Sequence, residues 1–321
     1  MNRISYITLL LIGQPGPPHV SSPRSGAVAR ETMRIGLMWK VQAQFAGYAL
    51  AVEEVAGLEL CARSPTASPL EDLLAGRVEF ATVSPAQLLG AGRRAREVAF
   101  IALFMTRSPV VLVGSKSRKG ERLSDLTSAR VGVWPGEDLE VRAMLATAGV
   151  SLEQVDFVPV EEGFDEFIAG ELDLLQATTY NELPALSSRV PDQSDLVVHR
   201  PASSGVDVAK DGLVASIKLF GERPHLVDAV VGAAVRGWRR AIEDGEAAVD
   251  AVCRLESSLS VSEQQQQLAE IVKLIDPSRS LGRPDRAEFE RAARVFAAIG
   301  QEVDANEAVI EPGPRERALD A

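Results

Sequence analysis

Cysteine, histidine and the larger aromatics are scarce in this sequence of 321 residues, which holds two Cys, three His, three Trp and three Tyr. Cys61 and Cys253 lie too far apart to form a metal knuckle and are too few for a disulfide framework. A single bridge between them and two free, buried thiols both remain open, the free state being the simpler. His19, His199 and His225 fall in no metal-ligand spacing. There is no G-x-S-x-G, P-loop or G-x-G-x-x-G, and no pair of acids stands out from the solvated ones. No catalytic residue, metal site or cofactor is therefore assigned. No apolar run reaches the roughly 18 residues of a membrane-spanning helix. Basic residues are outnumbered, and the net charge of −11 argues against a nucleic-acid partner, which calls for a basic patch or stripe.

What is present is the composition of a globular protein, 46% hydrophobic and 25% charged. The length suits one large domain or two ordinary ones. Residues 1–32 differ from the rest. Arg3 precedes the apolar run Ile4–Gly13, a Pro/Gly/Ser-rich stretch follows, and Ala27-Val28-Ala29 has a small-x-small pattern. That is the layout of a signal peptide, with an overlong spacer. A disordered tail or an early start codon are the other readings.

From Met33 onward strands alternate with helices. Ile35–Met38, Leu58–Ala62, Val78–Val83 and Val98–Met105 read as strands. Ser68-Pro69 and Ser84-Pro85 read as helix starts, with a serine cap and proline at the first helical position. Pro109–Val113 follows Val98–Met105 with no helix between, which predicts a crossing into a second lobe. There Arg130–Trp134, Val155–Val160 and Leu172–Ala177 read as strands, and Leu139–Gly149 and Phe164–Gly170 as helices. Pro184 argues against a simple continuation, and Val197–Ala215 reads as strand and turn leading back. Amphipathic helices follow from Pro224 to Gly300, with Gln264–Gln267 expected on an exposed face. The expected organisation is residues 33–108 plus 211–300 as one lobe, 109–210 as the other, and 301–321 as a flexible tail.

The aromatics fall at strand ends. Trp39, Phe45 and Tyr48 crowd a strand-to-helix corner with Gln42 and Gln44, while Trp134 and Tyr180 follow strands of the second lobe. Each ring also fits a core position. Taken together with Ser84, Glu137, Asn181 and Glu182, they predict an aromatic-lined cleft with few polar groups, the usual form of a small-molecule site. Rings on both walls suit a flat heteroaromatic ligand, and Glu137 and Glu182 suit an amino-substituted one.

The motif W-x-x-x-A-Q-F-A-G-Y, from Trp39 to Tyr48, resembles the opening of solute-binding proteins of the thiamine-pyrimidine-precursor and riboflavin branch. Leu123–Trp134, Ala169–Asp173, Asp211-Gly212-Leu213 and Arg236-Gly237-Trp238 are similar to further segments of that family, and Tyr180-Asn181-Glu182 matches its Y-N-E. The resemblance runs from about Met33 to Gly300. It implies an α/β, two-lobed, type II periplasmic-binding-protein-like fold with a helical C-terminal part. It also implies a monomer outside the cytoplasm that closes on its ligand and docks on an ABC permease. The chain departs from the family pattern by a short Tyr48–Leu58 segment and by Gly136-Glu137-Asp138 in place of G-N-E. The superfamily also includes an enzyme, a thiamine-pyrimidine synthase that consumes pyridoxal phosphate. Its lysine and histidine align with Val83 and Gln87 here, leaving Lys40 as the lysine nearest the expected pocket. A cytoplasmic ligand-sensing domain on the same fold is a third expectation.

Overall fold

Val98–Leu103 and Val110–Ser115 are buried along their whole length and only a short segment apart, yet they pair into different sheets. The computed structural model describes residues 32–64, 67–118, 120–276 and 279–311. The signal-like run and the Ala27-Val28-Ala29 pattern lie outside them. In chain order the strands are β1 (Met33–Gly36), β2 (Leu58–Cys61), β3 (Phe80–Val83), β4 (Val98–Leu103), β5 (Val110–Ser115), β6 (Ala129–Val133), β7 (Val155–Pro159), β8 (Leu174–Thr178), β9 (Leu196–His199), β10 (Gly212–Ser216) and β11 (Val309–Ile310). One sheet has the order β11-β4-β10-β3-β1-β2, the other β7-β6-β8-β5-β9. Each centres on parallel strands and takes in one antiparallel strand, β10 in the first and β5 in the second. The result is the two-lobed α/β architecture that the resemblance implies.

The chain crosses between sheets twice, after β4 and after β9. The crossings pair with each other. Lys210 N donates to Met105 O at 2.9 Å and Phe104 N to Asp211 O at 3.2 Å. Asp207 Oδ1 accepts from Ser108 N at 2.7 Å. The C-terminal helices steady this ribbon, with Leu274 O accepting from Thr106 N and Arg107 N.

Local signals explain most elements. Ser68 and Ser84 each form a complete capping box before a proline-led helix. Three expectations are corrected. Glu182–Arg189 is a helix with Pro184 inside its first turn, where a missing N–H leaves no intrahelical bond unmade. Residues 301–311 are not a frayed tail, because Ala305–Glu307 forms a 3-10 turn and β11 pairs with β4. Cys61 and Cys253 are free, but half-buried rather than buried.

The C-terminal helix Pro224–Glu243 lies across helix Ala46–Glu54 at two glycines. A Cβ on Gly237 would overlap the Gly47 carbonyl oxygen, and one on Gly47 would overlap the Trp238 indole. Trp238 is fully buried there. We expect Gly237→Ala to push the helices apart and destabilise the protein by about 1–3 kcal/mol, the usual cost of overpacking. The check is the thermal midpoint, which should fall by several degrees. An unchanged midpoint would show that the crossing gives way freely.

Candidate functional site

Four parallel strands end on the facing edges of the two sheets. The turn 37–42 follows β1 and Ser84 follows β3 in one lobe; residues 134–138 follow β6 and 179–182 follow β8 in the other. Carboxyl ends of parallel strands are where open α/β sheets bind ligands. Each lobe shapes its turn with one buried polar side chain. Thr82 Oγ1 accepts from Met38 N at 2.8 Å. Gln176 Oε1 accepts from Trp134 N at 3.0 Å, and its Nε2 donates to Glu137 O at 2.9 Å. The two occupy matching positions, each one residue past the last parallel pair, Gly36–Ala81 and Gly132–Leu175. A polar residue in an apolar strand must find a partner, so Gln176 in Leu-Leu-Gln-Ala-Thr was the signal that sequence reasoning passed over.

Two polar bridges cross between the lobes. Gln87 sits in the capping box of helix Pro85–Gly90, its Oε1 accepting from Ser84 N at 2.9 Å. Its Nε2 donates to both carboxylate oxygens of Glu137, at 3.1 and 3.0 Å. Arg63 adds an ion pair to Glu137 at 3.4 Å. Both partners are about a third exposed, so that pair contributes little alone. In the second bridge Gln267 Nε2 donates to Asn181 Oδ1 at 3.0 Å. Asn181 Nδ2 in turn donates to Glu182 Oε1 at 2.6 Å. Glu182 Oε2 accepts from Thr178 N and Thr178 Oγ1, so this carboxylate braces its own turn.

The glutamine run is therefore not one exposed face. Gln265 and Gln266 are exposed, but Gln264 and Gln267, three apart on helix Val261–Val272, are buried. Gln264 Oε1 accepts from Ala43 N at 2.7 Å, pinning the corner that carries the opening motif. Gln87, Gln176, Gln264, Gln267 and Arg63 were not among the expected site residues.

The expected residues divide. Phe45 and Tyr48 are core, not cleft wall. Both are fully buried, and the Tyr48 ring meets Phe104 edge-on at 5.5 Å and Trp238 at 6.3 Å. Gln42 and Gln44 are buried and bonded to each other at 3.2 Å. Ser84 caps its helix. Trp134 is half-buried and donates its indole N–H to Glu161 O at 3.1 Å. Trp39 is 41% exposed, and its carbonyl accepts from Arg63 N. Tyr180 is buried, while Glu137, Asn181 and Glu182 are half-buried at the bridges.

Asp211 lies where the lobes meet. Because β10 runs antiparallel to β3, its first residue, Gly212, pairs with Val83 at the carboxyl edge of β3. Asp211 precedes it with φ of 38°, is fully buried, and neither carboxylate oxygen has a hydrogen-bond partner. The Tyr48 hydroxyl, Thr179 Oγ1 and Gln267 Oε1 are likewise buried without partners. Burial holds the Asp211 carboxyl well above the usual carboxylate range. Burial also raises the Tyr48 phenol, with the Asp211 charge adding to it. The Tyr180 phenol is raised by burial first, then by Glu182, Asp211 and Glu137. Among the described residues no cluster of His, Cys, Asp or Glu could hold a metal ion, and no helix is long and apolar enough to cross a membrane.

Comparison with known proteins follows the same architecture. No curated protein sequence matches the chain. The periplasmic aliphatic sulphonate binding protein SsuA from Escherichia coli is similar in structure, with 13% identity, a TM-score of 0.65, and coverage of 90% of this chain and 94% of that one. The ligand-binding component of an ABC-type import system from Staphylococcus aureus is similar at 12% identity and a TM-score of 0.66, over 88% of this chain and 97% of that one. The desulfurization enzyme DszB is similar at 15% identity and a TM-score of 0.58, over 91% and 98%. Identities this low establish the shared fold, which here carries both binding proteins and an enzyme. The sequence evidence is more specific, because residues 51–248 match the NMT1/THI5-like family model. This chain, two lobes joined by a paired crossing, belongs to the NMT1/THI5-like family.

Proposed function

We propose that the protein is the solute-binding component of an ABC importer. In this reading it captures a small heteroaromatic solute, a thiamine pyrimidine precursor or a flavin-like ring, and delivers it to a membrane permease. The observation that carries the proposal is the pair of polar bridges, Gln87–Glu137 and Gln267–Asn181, between lobes that the chain links at the two crossings. A ligand that touches both edges favours the closed arrangement by its differential contacts. Membership of the family supports the reading, as does the shared fold with a periplasmic binding protein and with the ligand-binding component of an import system. Trp39 presents an exposed ring beside Arg63, whose side chain reaches Glu137 of the other lobe, and is the stacking group of the cleft. The protein works outside the cytoplasm, as a monomer.

The synthase reading has less support. Val83 is buried at the end of β3, Gln87 is occupied by its cap and its bridge, and Lys40 is exposed on the turn. A Schiff base needs a lysine amine aimed into the pocket.

Three outcomes test this reading. Mass spectrometry identifies the solute retained on purification, and Trp39→Ala should weaken its binding by roughly 1–3 kcal/mol, about tenfold to a hundredfold. The unliganded melting point should hardly move, because Trp39 is exposed; a large drop without ligand would make it a packing residue. Glu137→Ala removes the Gln87 and Arg63 contacts together. Small-angle scattering of that unliganded variant should show a larger radius of gyration than wild type, and equal radii would mean the bridge does not hold the lobes. N-terminal sequencing of the protein from its native host should begin near Arg30. An intact Met1 in the cytoplasmic fraction would favour the ligand-sensing alternative.

A further inference from the structure

The apolar cores do not divide as the two sheets do. Alternate strand residues point to opposite faces, and on one face a single core runs from lobe to lobe. It takes in Leu88 and Phe100 of the first lobe, Leu112 and Leu145 of the second, and Phe289 and Val295 of helix Arg286–Ala298. On the other face the cores are separate. One lies wholly in the second lobe, under helices Phe164–Ala169 and Glu182–Arg189. The other lies in the first lobe with helices Pro224–Glu243 and Val261–Val272, and Tyr180 is the one second-lobe residue it takes in among the described residues. Tyr180 sits beside the crossings, since Thr179 N donates to Pro109 O at 2.9 Å.

Helix Arg286–Ala298 makes the difference between the faces. Asp285 caps it, Oδ1 accepting from Ala287 N at 3.0 Å. It is fastened to the first lobe. Phe289 meets Phe100 of β4 edge-on at 5.0 Å, and the Phe296 ring lies 3.5 Å from where a Cβ on Gly90 would stand. Arg286 donates to the carbonyls of Ala305 and Ala308, just ahead of β11. From the second lobe, helix Leu139–Thr147 packs against the same helix, with Val141, Met144 and Leu145 fully buried. Parting the lobes there exposes apolar surface, which is unfavourable in proportion to its area. On the opposite face the Gln267–Asn181 bridge is a neutral hydrogen bond, which water replaces at little net cost.

We infer that helix Arg286–Ala298 is a strap across the two lobes. They rock about it, so the cleft opens between helices Val261–Val272 and Glu182–Arg189 while the strapped side stays shut. The Gln87–Glu137 bridge joins the starts of the two helices that the strap packs across, so it lies near the axis and moves less than Gln267–Asn181. A solute then enters and leaves on the Gln267 side. This concerns the motion alone and does not depend on which solute the cleft holds.

The test is pulsed electron resonance on two nitroxide pairs, without ligand, in a Cys61→Ser, Cys253→Ser background. Gln266→Cys with Ser188→Cys spans the opening side, and Arg294→Cys with Thr147→Cys spans the strap; all four positions are exposed. Each pair is measured with the bridges intact and after Glu137→Ala with Gln267→Ala. We expect the Gln266–Ser188 distance to lengthen by several ångströms and the Arg294–Thr147 distance to stay as it was. Should the double variant fail to melt cooperatively, Gln267→Ala alone carries the same comparison. If both distances lengthen together, or the second alone, the lobes do not turn about this helix and the strap is overturned. If neither changes, the lobes are one rigid block and the rocking motion is overturned.

Discussion

The backbone bonds between the two crossings, Lys210 N to Met105 O and Phe104 N to Asp211 O, are what the rest of the molecule depends on. Separate connections would leave the relative position of the sheets loosely defined. Paired as a ribbon and braced by the Leu274 carbonyl, they aim the carboxyl edges of both sheets at one space. The pairing fixes where the two sheets meet. It also explains why Asp211, whose own carbonyl belongs to the ribbon, is buried between the lobes.

Polar side chains within apolar surroundings do most of the shaping around that space. Thr82 and Gln176 sit at equivalent points of the two sheets and tie down the turn after the neighbouring parallel strand. Gln264 does the same for the 42–45 corner from a helix distant in sequence. Each is a buried group whose bond cannot be exchanged for water, so losing a partner costs the full desolvation penalty of the group left behind. Such residues define geometry more sharply than apolar contacts do. Gln87 goes one step further, since one amide serves both a helix cap in one lobe and a carboxylate in the other.

The shared fold with sulphonate-binding and desulfurizing proteins sets a useful contrast. Architecture is common to all of them, and chemistry resides in the side chains at the strand ends. Here those ends carry Glu137 and Glu182, with Asp211 beside them. Gln87 and Arg63 engage Glu137, while Asp211 has no partner.

Much of the fold was legible from residues alone. The serine caps before Pro69 and Pro85, the strand periodicities and the missing helix between Met105 and Pro109 act over a few residues and do not depend on distant neighbours. The strand leading into Tyr180-Asn181-Glu182 was also legible, but the brace from Glu182 back to Thr178 was not. Which side chains face the cleft was not. Tyr48 lies in the core because helix Pro224–Glu243 packs over it with Trp238, and Phe45 because helices Gly245–Leu255 and Val261–Val272 pack against its turn, all far away in sequence. Gln264 and Gln267 are buried because their partners are Ala43 and Asn181, and Asp211 lies beside the carboxyl end of β3 because β10 returns antiparallel there. Periodicity reports that a residue has an apolar or polar face. Only the tertiary structure decides what that face meets, because the meeting is made by chain segments whose separation carries no local signal.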